Sequence, residues 1–123
     1  MRFLSSMLLT VFSVSVQAQS LCEGFLVLQA DINPTLPRQI DSLTDMIRLQ
    51  TNCDDQSLTL VKRLRLSFSE LPANWQVEKQ AEHQALHCNA DGLASRQGWT
   101  AIDVFLDGQD QEIARLVTRP ADC

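Results

Sequence analysis

The chain has 123 residues, a formal charge of −5 and a pI near 4.8. That acidic balance argues against nucleic acid and anionic membrane surfaces as partners, since phosphate contacts require clustered Lys and Arg. The length allows one domain with a single modest core.

Residues 1–18 read as a secretory signal peptide: Arg2 supplies the positive start, Phe3 to Val16 an apolar run, and Val16-Gln17-Ala18 a small-residue cleavage site. No later run approaches eighteen apolar residues, so residues 19–123 are expected to form one soluble exported domain, periplasmic or secreted, with no membrane span. Cys22 follows the leader as a lipidated cysteine does, but Leu21 occupies the position that such processing wants small. Four cysteines in an exported chain of this size predict two disulfides. Three pairings are open. Cys22 with Cys53 and Cys88 with Cys123 is preferred because each bridge then joins the ends of a self-contained half. Each bridge would contribute roughly 3 to 4 kcal/mol in the chain-entropy account.

Leu21, Phe25, Leu28 and Ile32 share one face of a helix running to about Asn33, where Asn33-Pro34 and Leu36-Pro37 stop it. A short polar connection through Arg38 and Asp41 follows. Alternation from Leu43 to Thr51 puts Ile47 and Leu49 on one side of a strand, with Arg48 and Gln50 on the other. After the turn Asp54-Asp55-Gln56, Leu58, Leu60, Leu64, Leu66 and Phe68 alternate with polar residues in a second strand. Lys62 falls on the apolar row, so it lies beyond the covering helix or marks a bulge. A second helix is predicted to open at Ser69-Glu70, with Leu71-Pro72 in its first turn and Val77, Ala81, Ala85 and Cys88 as its inner stripe, to which Leu86 adds. Glu78, Lys79, Glu82 and His83 then face water. Asp91 caps a short turn ending at Gly98. Ile102, Val104 and Leu106 alternate with Ala101, Asp103 and Phe105, the turn Gly108-Gln109-Asp110 follows, and a return strand runs from Glu112 to Arg119. The order α-β-β-α-β-β predicts an α+β fold, a four-stranded antiparallel sheet with two main helices on one face.

Few residues suggest chemistry. His83 and His87 share a helix face beside Glu82, which raises a metal site, but the glutamate is misplaced for a zinc-protease motif and no third ligand is near. Solvated helix histidines are the plainer reading. Asp54-Asp55 and Asp107 with Asp110 sit in turns, where Asp bonds to local backbone. The cluster Lys62, Arg63 and Arg65 reads as a solvated strand face plus one misplaced lysine, and Trp99 as core or, less favoured, an exposed anchor for a partner. No serine stands in a nucleophile-elbow context. No catalytic, cofactor-binding or metal-binding residue is therefore assigned, and no cofactor is expected.

The run from Asn33-Pro34 to Leu43-Thr44, with Cys88, Arg96, Gly98, Asp107, Glu112-Ile113, Val117 and Cys123, resembles a pattern in small exported bacterial proteins, nearest the quorum-sensing-regulated virulence factor family. The resemblance covers scattered positions over most of the chain after the leader. It implies an exported α+β protein of the same shape and carries no site residue. The chain departs from the pattern at Val104-Phe105-Leu106, which lacks tyrosines, and in the pair Cys22 and Cys53, which looks like an added bridge.

These readings predict a non-catalytic accessory module of the bacterial envelope, related to secretion, adhesion or virulence, that binds another envelope or secreted protein, in one version by adding a partner strand to its sheet. An immunity or inhibitor protein against a toxin or hydrolase is a second possibility. A third is a small ligand-binding or hydrolytic protein using the groove between helix and sheet, with Asp103, His83 or His87 as its polar groups. A deep pocket lined by those residues would favour the third, and a filled groove with an exposed apolar patch a protein partner.

Overall fold

The computed structural model describes residues 20–123, so the signal peptide read at 1–18 and its cleavage point lie outside the described residues. Helix α1 covers residues 20–32 and runs into a 3-10 turn, Asn33–Thr35. Strands β1 (Arg38–Asp41), β2 (Thr44–Asn52) and β3 (Ser57–Leu64) follow, then a 3-10 turn at Phe68–Glu70, helix α2 (Trp75–His87), and strands β4 (Thr100–Leu106) and β5 (Glu112–Thr118). No helix among the described residues is long and apolar enough to cross a membrane.

The fold is α+β, but the sheet has five strands rather than four and is mixed rather than antiparallel. Its order is β1-β2-β3-β4-β5; every neighbouring pair is antiparallel except β3 and β4, which are parallel. The extra strand, β1, is the segment that reads as a polar connection. All four of its residues are exposed and Ile40 alone is apolar, so no alternation marks it. Parallel pairing follows from what joins β3 to β4: parallel neighbours need a crossover, and α2 provides one. Alternation reveals a strand's two faces but not its direction.

Both disulfides form as preferred. Cys22 on α1 joins Cys53 just after β2, and Cys88 at the C-cap of α2 joins Cys123, with Cα separations of 5.6 and 5.3 Å. Helix α1 lies along the edge of β2 beyond the end of β1. There the Asn33 side chain accepts from the Leu49 N–H at 2.8 Å and donates to the Leu49 carbonyl at 3.0 Å, while Gln29 accepts from the Thr51 N–H. Phe25 packs edge-on against Trp99, centroids 4.9 Å apart. Trp99 is 2% exposed, a core residue as its reading has it.

Helix α2 is rotated from its predicted orientation. Val77, expected inside, is 74% exposed, and Ala81 and Ala85 also face water; His83, expected outside, is 4% exposed. The helix starts at Trp75 instead of Ser69, and the Ser67 and Glu70 pair caps the preceding 3-10 turn. Trp75 decides the rotation: its ring meets Phe105 edge-on at 5.1 Å, and burying an indole removes far more apolar surface than burying two alanines. It joins Leu71 and Ile113 against the core of Leu64, Phe105, Ala114 and Leu116. Polar bonds to β5 then fix the same face. Leu66 and Phe68 do not extend β3, which ends at Leu64, and Phe68 is 65% exposed.

Candidate functional site

Between α2 and the β1–β2 turn lies an open groove of about 440 Å³. Ile40 of β1, Leu43 of the turn, Leu66 and Leu71 of the connection, and Trp75 and Leu86 of α2 form its apolar wall. Leu86, assigned to the inner stripe, is instead 61% exposed on the rim. Asp41 and Glu82 add carboxylates to the rim, and Asp41 is held below the usual carboxylate range by the N–H of Leu43 and the Thr44 hydroxyl.

The floor is polar, and it explains the lysine on the apolar row. Lys62 keeps its place in β3, and the nearest bulge falls in β2 at Ile47. Its Nζ donates to Asp103 Oδ2 of β4 at 3.0 Å and lies 5.4 Å from the Phe105 ring centroid. Asp103's other oxygen, Oδ1, lies 3.6 Å from His83 Nε2, which has no hydrogen-bond partner among the described residues. His83 Nδ1 meets the hydroxyl of Thr118, on β5, at 2.7 Å, and its ring lies edge-on to His87 with centroids 4.5 Å apart. Burial works to raise the Asp103 pKa, but His83 and Lys62 outweigh it and hold the carboxyl below its ordinary value. His87 is lowered, first by burial and then by His83, against the opposing pull of Asp103.

The Thr118–His83–Asp103 line resembles a nucleophile, base and orienting acid in sequence only: the Thr118 hydroxyl is wholly buried, and Asp103 is already engaged by Lys62. A divalent cation beside Asp103 would meet the Lys62 ammonium, and no cluster of three or more metal-ligating side chains occurs among the described residues. Asp103 and His83 do line the groove; His87 does not. The groove therefore has the polar lining that favours a ligand site and the exposed apolar rim that favours a protein partner.

Elsewhere the plainer readings describe what the residues do. Asp107 accepts from the N–H groups of Gln109 and Gln111, and Asp55 exchanges bonds with Asn52. Arg63 pairs with Asp110 at 2.6 Å and Arg65 with Asp45 at 3.0 Å, so with Lys62 the three cations serve three separate carboxylates. The expectation that outer strands accept a partner strand is limited by side-chain amides. Gln80 bonds both the N–H and the carbonyl of Val117 on β5, and Asn33 does the same for Leu49 on β2. The polar floor had a signal in the sequence: one lysine and one aspartate, each on an otherwise apolar row of a separate strand, mark a buried pair.

The fold and groove place the chain among small α+β domains with a disulfide-tied sheet. It is similar in structure to a Pseudomonas aeruginosa protein described as secreted, at a TM-score of 0.66 and 15% identity over 85% of this chain and 93% of that one. It is also similar to the type II secretion system pilotin AspS of Vibrio cholerae, at a TM-score of 0.54 and 13% identity over 89% and 98%. At such identities the likeness is one of fold. No protein-family model matches the chain and no curated protein matches it in sequence, so membership of the virulence factor family is not shown. The two disulfides fit an exported protein.

Proposed function

We propose that the chain is a non-catalytic accessory module of the bacterial envelope that docks an apolar segment of a partner protein in the groove between α2 and the β1–β2 turn. The observation that carries this reading is the rim: Ile40, Leu43 and Leu86 stand exposed around a groove of about 440 Å³, forming the kind of apolar patch that marks an interaction site. Asp41 on that rim favours a segment that also carries a lysine or arginine, Glu82 being already paired with Lys79. The secreted and pilotin neighbours support a secretion-related setting. The floor groups neutralise one another, which favours a partner's apolar side chains over a charged small molecule.

A photo-reactive residue at Leu43 or Leu86, introduced in cells of the native host, tests the reading. One protein should be captured at both positions and not at Asp54, through a peptide that is apolar and contains Lys or Arg, and Ile40→Asp should abolish capture. Equal capture at Asp54, or a small molecule retained in the groove, would overturn it.

A further inference from the structure

Three observations meet at His83. Its ring is 4% exposed, one nitrogen is unpartnered, and that nitrogen stops 3.6 Å from a carboxylate, just beyond bonding distance. Buried polar atoms left unpaired are uncommon and call for an explanation. The geometry points to a proton-operated latch at the groove floor: uptake of one proton by His83 draws Nε2 onto Asp103, pulls α2 toward β4, and adds a positive charge beneath the groove.

Each neighbour suits the role. From β5, Thr118 presents a hydroxyl, which can donate to a neutral imidazole and accept from a charged one, so the 2.7 Å contact survives in both states. From β4, Asp103 offers a free oxygen, because Lys62 uses Oδ2 and His83 faces Oδ1. From β3, the Lys62 ammonium opposes a second cation, and the shared carboxylate offsets it. On α2, Lys79 and Glu82 pair with each other at 3.2 Å, while His87 lies one turn from His83. Burial first, and then His83, holds His87 below its ordinary value, while His83 is the ring that faces the free carboxylate oxygen. A charge-assisted bond is about 2.8 Å long, so closing the 3.6 Å gap moves His83 by roughly 0.8 Å relative to β4. In a well-packed domain α2 would carry that movement to Glu82 and Leu86 on the groove wall. If the groove docks a basic apolar segment, as proposed above, the added charge weakens docking in acid; the latch itself does not depend on that reading.

The test is nitrogen NMR of the imidazoles in the oxidised chain between pH 8 and pH 5, read together with the backbone amides of α2. His83 should pass from one neutral tautomer to an imidazolium with both N–H protons protected from exchange, and the Glu82 and Leu86 amides should shift with the same midpoint. In Asp103→Asn the coupled shift of the wall amides should be lost, and in His87→Gln it should persist. A His83 that stays neutral throughout, or titrates without moving the wall, overturns the latch. Those wild-type readouts decide the matter even if Asp103→Asn fails to fold, and neither needs a docked partner.

Discussion

The side-chain amide of Gln80 pairs with the backbone of Val117 as a neighbouring strand would: Nε2 donates to the carbonyl at 2.9 Å and Oε1 accepts from the N–H at 3.2 Å. A helix thereby closes one stretch of an outer strand, a liability that natural sheets manage explicitly. Gln80→Ala is expected to cost about 1 to 2 kcal/mol of stability and to open β5 to a second copy. Urea unfolding and sedimentation at several concentrations check this; an unchanged midpoint with no association would show that water replaces the amide freely.

Lys62 and Asp103 form a pair that is mostly out of water, with side-chain exposures of 19% and 15%. Removing one partner strands the other, so Lys62→Met or Asp103→Leu alone should cost about 3 kcal/mol. The double variant should recover most of that, because two apolar side chains suit the row they occupy. A double-mutant cycle measures the coupling, and additive losses would mean that the charges contribute independently.

The rotation of α2 is testable at Val77, which the four-residue spacing puts inside, and at Trp75, which packs inside. Val77→Asp should change stability by less than about 0.5 kcal/mol, as exposed substitutions do. Trp75→Ala should cost about 3 kcal/mol through lost packing on Phe105. Comparable losses at both would restore the predicted inner stripe.

Acid should weaken the fold in two steps. The His87 value is depressed in the folded chain, so the unfolded chain binds the extra proton; stability present above 6.5 declines as pH falls from there toward the folded value. Asp103 is also depressed, so its contribution is present above 3.8 and is lost as pH falls through its lower folded value. The difference in denaturant midpoint between wild type and His87→Gln should carry the upper decline, and the wild-type midpoints at the acid end the lower one. His87→Gln should reduce the upper one, and an unchanged upper decline would assign it to another group.

Much of the fold is legible in the sequence where a local pattern has one physical cause. Alternation marks β2 to β5, the two prolines end α1, and cysteine spacing favours the observed bridges. The missing parts depend on long-range partners. β1 has no apolar period because it lies exposed beside β2, and the direction of β3 against β4 is set by the crossover rather than by either strand. On α2, four-residue spacing favours the Val77, Ala81 and Ala85 face; a single tryptophan and two polar anchors outweigh it. The groove is legible only in part: Lys62 and Asp103 stand out as misplaced charges, but their meeting depends on the parallel register that brings Lys62 beside Phe105.

The two bridges join cysteines in the order they occur along the chain, first with second and third with fourth. For a chain entering an oxidising compartment N-terminus first, the simplest course of oxidation is then the correct one. Cys22 and Cys53 can close before Cys88 has arrived, and the later pair meets no competing thiol. Maturation should consequently depend on an oxidant and little on an isomerase.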